Sequence, residues 1–337
     1  MTETLIRSEI DFAADGKHHG FLRLPHSVHR SAYGWIPVPI VMIKNADGPT
    51  VLLMAGNHGD EYEGQIALTK LFRELNTADI RGRLIIMTMA NYPAAEAGTR
   101  VSPIDAGNLN RLFPGDPRGT PTQAIAHYIE DVLMPMCDYF FDFHSGGSSL
   151  LYPATLLRCP GHTPEERAKL LALQKAFDAP YAWVFSGGGG PSTKARTAMG
   201  AAGRKGATTI MAELGGGGTV SKPILDLTER GIKRLLHSIG MLPAYQPDAA
   251  RGTRELQVSG SVDAYDSGVF EPLKEPGDTV GQGEQIGAIH HPEEPWRDPV
   301  TICSPYDGIA LAKRFMGRVQ RGDCLYQIAT DIEENKQ

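Results

Sequence analysis

Apolar residues fall along this 337-residue chain in two different rhythms. In the middle of the chain, short apolar runs alternate with longer segments whose apolar positions recur every three or four residues. Residues 51–55, 84–89, 139–143 and 208–212 read as buried strands, because each is a mainly apolar run too short for a helix. Residues 61–75 read as an amphipathic helix with Ile66, Leu68, Leu71, Phe72 and Leu75 on one face. A second helix over 123–134 follows Thr120-Pro121-Thr122, a cap and helix-start signal, and 164–177 and 224–239 complete the set. Such alternation predicts an α/β fold: a mixed sheet flanked by helices.

The two ends differ from the middle. Residues 1–45 read as short strands and loops, since Pro25, Pro37 and Pro39 interrupt long elements, with a strand at 40–44. Pro247-Asp248-Ala249-Ala250-Arg251-Gly252 reads as a linker. Beyond it, short strand-like runs and frequent Gly turns predict a smaller all-β unit. Residues 268–283 and 308–323 repeat one theme there: a Gly, an apolar strand, a turn and a further Gly. The theme resembles the two halves of a lipoyl-like β-sandwich. Where a carrier would present its lysine, this chain has His290-His291-Pro292-Glu293-Glu294-Pro295-Trp296. The unit is therefore expected to shape or cover a site, not to carry a group. The expected organisation is an N-terminal segment 1–45, a catalytic unit 46–244 and a β-unit 253–332.

Composition narrows the class. A net charge of −6 argues against a non-specific nucleic-acid binder. No apolar run reaches membrane-span length, and the N-terminus lacks an export signal. Four scattered cysteines form no Cys-x-x-Cys pair and fit a reducing compartment. These features lead to the expectation of a cytoplasmic protein without nucleic-acid or membrane partners, and they allow a homo-oligomer.

Chemistry concentrates where apolar runs end. Residues 51–55 run into Gly56-Asn57-His58-Gly59-Asp60-Glu61, and 139–143 run into His144-Ser145-Gly146-Gly147. Strand ends of a parallel sheet share one edge, the usual place for a site in such folds. His58, Glu61 and His144 make the donor set of a His₂Glu zinc centre with an open position for water. The alternative is a solvated helix start and a turn histidine. Asn110 and Arg111, in Gly107-Asn108-Leu109-Asn110-Arg111-Leu112-Phe113-Pro114-Gly115, can grip a carboxylate through a planar guanidinium and an adjacent amide, and Arg100 lies upstream. Both arginines can equally be surface residues. Glu213 follows a buried strand and precedes Leu214-Gly215-Gly216-Gly217-Gly218. It suits a general base, or else a carboxylate capping the next loop.

His-Gly-Asp-Glu, Leu-Asn-Arg-Leu-Phe-Pro-Gly, Asp-Phe-His-Ser-Gly and Ala-Glu-Leu-Gly, in this order, resemble the succinylglutamate desuccinylase/aspartoacylase family, which is zinc carboxypeptidase-like. The resemblance covers roughly residues 35–330. It implies one Zn²⁺ per chain on His58, Glu61 and His144, with Glu213 as base and proton shuttle. It further implies Arg100 on the scissile carbonyl, with Asn110 and Arg111 on a substrate carboxylate. The long N-terminal segment, Gly187-Gly188-Gly189-Gly190 and the Gly run after Glu213 are most similar to the family's ectoine-catabolic branch. That branch implies deacetylation of N2-acetyl-L-2,4-diaminobutyrate, a small N-acyl amino acid. The alternatives are a desuccinylase, aspartoacylase or carboxypeptidase using the same residues on another substrate, and an inactive binding protein.

Overall fold

A computed structural model describes residues 3–185 and 195–332; the Gly187-Gly188-Gly189-Gly190 run falls outside them. Among the described residues, one fourteen-stranded mixed sheet forms the backbone of the molecule and a four-stranded sheet lies in the C-terminal region. At the centre of the large sheet, Gly82–Met87, Thr50–Ala55, Tyr139–His144 and Thr208–Glu213 run parallel in that spatial order. Their side chains alternate between two cores. Val51, Leu53, Phe141 and Ile210 face the helices Glu63–Glu74, Pro164–Phe177 and Lys222–Ser238. Leu52, Met54 and Phe140 face Pro121–Tyr128 and Ala198–Arg204. The α/β reading holds, and the positions of these four parallel strands hold to within two residues at each end.

Two readings need correction. The N-terminal region is not made only of short pieces: Gly16–Pro25 and Trp35–Asn45 form a long antiparallel pair that joins the main sheet. Gly82–Met87 reaches the Trp35–Asn45 strand only over Val41 to Asn45, so one edge of that strand is open at Pro37 and Pro39. Two residues apart, these prolines turn their nitrogens to the same edge, where no ladder bond is lost. The helix expected over 123–134 is α-helical only over Pro121–Tyr128 and continues as a π-turn, Ile129–Leu133, and a 3₁₀ turn, Met134–Met136. Pro135 cannot continue the α-helical ladder, and the wider turn absorbs it.

Past residue 253 the large sheet continues. Arg254–Asp263 runs parallel to Tyr181–Val184 and pairs with Cys324–Asp331, which pairs with Gly308–Arg314. The smaller sheet packs over this part through Phe270, Ile286, Ile289, Leu325 and Ile328. The result is the expected β-sandwich, joined edge to edge to the α/β sheet. Among the described residues, no helix is long and apolar enough to cross a membrane.

Candidate active site

The parallel strands deliver the site residues by register. Glu213 and His144, the last residues of adjacent strands, are direct partners, and Met211 lies opposite Asp142. Alternation puts Asp142, His144, Met211 and Glu213 on one face. His58 and Glu61 arrive from the loop after Thr50–Ala55; Glu61 precedes the helix that begins at Glu63. Gly59 lets that loop press against the segment carrying Arg100. Its N–H donates to the Thr99 carbonyl at 2.9 Å, and an added Cβ would lie 2.0 Å from the Ala94 carbonyl oxygen. Opposite, a Cβ on Gly216 would lie 2.1 Å from the Leu150 carbonyl oxygen, so the Gly run after Glu213 permits a close backbone crossing.

His58, Glu61 and His144 meet in a buried cluster whose donor atoms all lie within 4.8 Å of one another. Both imidazoles turn Nδ1 toward the Glu61 carboxylate, at 2.7 Å from His58 and 2.8 Å from His144. Their outer nitrogens meet oxygen acceptors: His58 Nε2 is 3.2 Å from Asn108 Oδ1, and His144 Nε2 is 2.8 Å from Asp142 Oδ2. An acceptor at Nε2 keeps the proton there and leaves the Nδ1 lone pair for a cation. Asn57 Nδ2 donates to the same Asp142 oxygen at 3.1 Å. The donor set and its outer partners fit a zinc ion.

Electrostatics follow from burial and proximity. Burial opposes ionisation of Glu61, yet His58 and His144 outweigh it and hold the carboxyl well below its usual range. For His144, burial is outweighed by Asp142 and Glu61, which raise its pKa; for His58, burial prevails and lowers it. Glu213 is pushed up to about 8, first by burial and then by the neighbouring Glu61 charge. Its Oε2 is buried with no hydrogen-bond partner among the described residues, although Glu213 lines the cavity.

That cavity has a volume of about 420 Å³. Arg100 and Arg111 stand exposed at its wall. Arg100 Nη1 is 3.4 Å from His58 Nδ1 and 3.7 Å from Glu61 Oε1, so it reaches the same point as the cluster. Asn110 is buried; its Oδ1 accepts from the Ala198 N–H at 2.9 Å, which leaves its NH₂ as the donor end. Arg111 Nη1 donates to the Asn110 carbonyl at 2.8 Å. All seven residues singled out from sequence line this one cavity.

Other residues at the site escaped the sequence reading. Asp142 and Asn108 hold the histidines, and Tyr152, Trp183 and Gln327 line the cavity. Asp142 had a readable signal, lying two residues before His144 on the same strand face. Gln327 comes from the C-terminal strand and accepts from the Tyr152 hydroxyl at 2.6 Å. The backbone around Tyr152 is tied to the same region: Lys313 pairs with Leu151, and the Phe315 N–H donates to the Ser149 carbonyl at 2.9 Å.

Comparison with known proteins agrees with this geometry. The family model described as the succinylglutamate desuccinylase/aspartoacylase catalytic domain matches residues 47–239. The chain is 40% identical over 333 residues to the N-alpha-acetyl-L-2,4-diaminobutyric acid deacetylase of Halomonas elongata, covering 97% of this chain and 96% of that protein. Among solved structures, it is similar to the product-bound ectoine utilization protein EutE (DoeB) from Ruegeria pomeroyi, with a TM-score of 0.92 and 35% identity over 98% of this chain and 100% of that one. A succinylglutamate desuccinylase/aspartoacylase from Rhodobacter sphaeroides gives a TM-score of 0.90 and 37% identity over 98% and 100% of the two chains.

Proposed function

The chain belongs to the succinylglutamate desuccinylase/aspartoacylase family, and from that premise we propose that it is a zinc-dependent deacetylase of N2-acetyl-L-2,4-diaminobutyrate, releasing L-2,4-diaminobutyrate and acetate in ectoine degradation. The observation that carries the reading is the convergence of His58, Glu61 and His144 beside Glu213, whose Oε2 has no hydrogen-bond partner among the described residues. The substrate choice is supported by the 40% identity to the Halomonas elongata deacetylase across nearly the whole chain.

Zn²⁺ held by His58, Glu61 and His144 would supply Lewis-acid polarisation of the amide carbonyl and make water acidic enough to ionise near neutral pH. Glu213 accepts a proton from the attacking water. Its raised pKa suits both halves of the task, since a carboxyl poised near neutrality can take that proton and then return it. The carbonyl carbon becomes tetrahedral, and Arg100 donates to the developing oxyanion, where a positioned donor is commonly worth ~10²–10³ in rate. Glu213 then gives its proton to the amide nitrogen, the C–N bond breaks, and acetate and the free amine separate. Arg111 binds the substrate α-carboxylate, with the Asn110 NH₂ beside it. A cavity of about 420 Å³, walled by Tyr152 and Gln327, favours a small N-acyl amino acid over a peptide.

The test is a panel of N-acyl amino acids scored by released amine. It contains both N-acetyl isomers of diaminobutyrate, acetylaspartate and succinylglutamate. The N2-acetyl isomer is expected to have the highest kcat/KM. Faster turnover of acetylaspartate or succinylglutamate would overturn the substrate assignment while leaving the hydrolytic reading in place.

A further inference from the structure

Part of the cavity wall has no task in the hydrolysis derived above. Tyr152, Trp183 and Gln327 reach it from three separate parts of the chain. Tyr152 is buried, and its hydroxyl donates to Gln327 Oε1 at 2.6 Å. A phenol has one proton to give. With that proton committed to Gln327, what the Tyr152 oxygen can offer a ligand is its lone pairs. Burial, reinforced by the nearby Glu213 charge, raises the pKa of this phenol well above its ordinary value, so it stays a neutral hydroxyl. Trp183 adds an aromatic ring to the same cavity, and such a face attracts cations.

The charges elsewhere in the cavity already have roles. Among the described lining residues, the arginines are Arg100 and Arg111, and the carboxylates are Glu61 and Glu213. A substrate side chain extending to this wall therefore meets an acceptor oxygen and an aromatic ring; Arg100, whose charge also reaches Tyr152, is engaged at the scissile carbonyl. We propose that Tyr152, held by Gln327 and flanked by Trp183, forms an ammonium-accepting subsite that selects N-acyl amino acids with a short basic side chain against those with an acidic one. The proposal rests on the deacylase reading above and deepens it. An ammonium group donates to the Tyr152 oxygen and gains from the Trp183 ring. A carboxylate in the same place faces lone pairs, and the Gln327 amide is a single neutral donor. Leaving a desolvated charge without a counter-charge is an effective means of rejection.

The experiment uses full-length zinc-loaded enzyme and three substrates of similar size: N2-acetyl-2,4-diaminobutyrate, N-acetyl-2-aminobutyrate and N-acetylaspartate. They end in an ammonium, a methyl and a carboxylate. Tyr152→Phe is expected to cut the ammonium-to-methyl ratio of kcat/KM by ~10–100-fold, the scale of a hydrogen bond to a charged group, with most of the change in KM. Gln327→Leu frees the Tyr152 proton to be donated, so kcat/KM should fall for the ammonium substrate and rise for N-acetylaspartate. Variants that keep the wild-type ratio, or that lower kcat equally on all three substrates, would overturn the subsite. A wild-type enzyme with no preference for ammonium over methyl would remove the substrate reading, and this proposal with it. A wild-type preference that survives both substitutions would remove the subsite alone.

Discussion

Asp142 offers a sharp test of the metal centre, because its two contacts can be separated from its charge. Its Oδ2 accepts from His144 Nε2 at 2.8 Å and from Asn57 Nδ2 at 3.1 Å, while its Oδ1 is buried with no hydrogen-bond partner among the described residues. Asp142→Asn can place its carbonyl where Oδ2 now sits and its NH₂ at the unpartnered position. Both bonds then survive and only the charge is lost. Asp142→Ala removes the bonds as well and leaves two buried donors without an acceptor. Losing a group that orients a metal-binding histidine commonly costs ~10–100-fold in metal affinity, or about 1.4–2.7 kcal/mol. The asparagine variant should fall near the lower end and the alanine variant near the upper. Competition against a chromophoric chelator measures the zinc Kd, and activity at saturating zinc then shows whether turnover recovers. Folded Asp142→Ala with the wild-type Kd would refute the reasoning that this carboxylate fixes the His144 ring as a ligand.

Other expectations follow from the same geometry. Glu213→Gln should keep zinc and lose at least ~100-fold in kcat; loss of the metal instead would make Glu213 a ligand. Metal-free protein gives a pH test: with Glu213 at about 8 when folded and near its ordinary value when unfolded, the folded state holds the extra proton between those values. Its contribution to stability therefore falls as pH rises through that window. Glu213→Gln should abolish that part of the loss, gaining on the metal-free wild type as pH rises from the ordinary carboxylate range to about 8; parallel denaturation profiles would contradict the buried-carboxyl account. Arg111→Lys should lose efficiency on the substrate acid but little on its primary amide, since a lysine cannot reproduce the two-pronged grip; an unchanged acid-to-amide ratio would move the carboxylate elsewhere.

The sequence was most legible where a strong apolar signal stops. Residues 51–55, 139–143 and 208–212 announce buried strands, and polar groups just beyond them, His58, His144 and Glu213, converge because parallel strands end on one edge. Register then makes His144 and Glu213 neighbours, although no periodicity in either strand carries that pairing. Asp142 sat between Phe141 and Phe143 and read as part of an apolar run, when alternation had already put it on the His144 face. Tyr152 and Gln327 lie 175 residues apart, and only the sheet continuing through the C-terminal strands brings them together. At the N-terminus, the usual meaning of proline was misleading because Pro37 and Pro39 lie where one edge of their strand is open. The expected division at 46–244 and 253–332 remains a proposal about folding units. Tyr181–Val184 and Arg254–Asp263 are hydrogen-bonded across it, so cutting there would expose a sheet edge.

The central claim is that His58, Glu61 and His144 hold the ion on which hydrolysis depends. The most direct measurement is metal content alongside turnover of N2-acetyl-L-2,4-diaminobutyrate, before and after chelation and after return of Zn²⁺. About one zinc per chain is expected, with activity lost on removal, restored on addition, and absent together with the metal in His58→Ala and His144→Ala. Full turnover by a demonstrably metal-free sample would contradict the account.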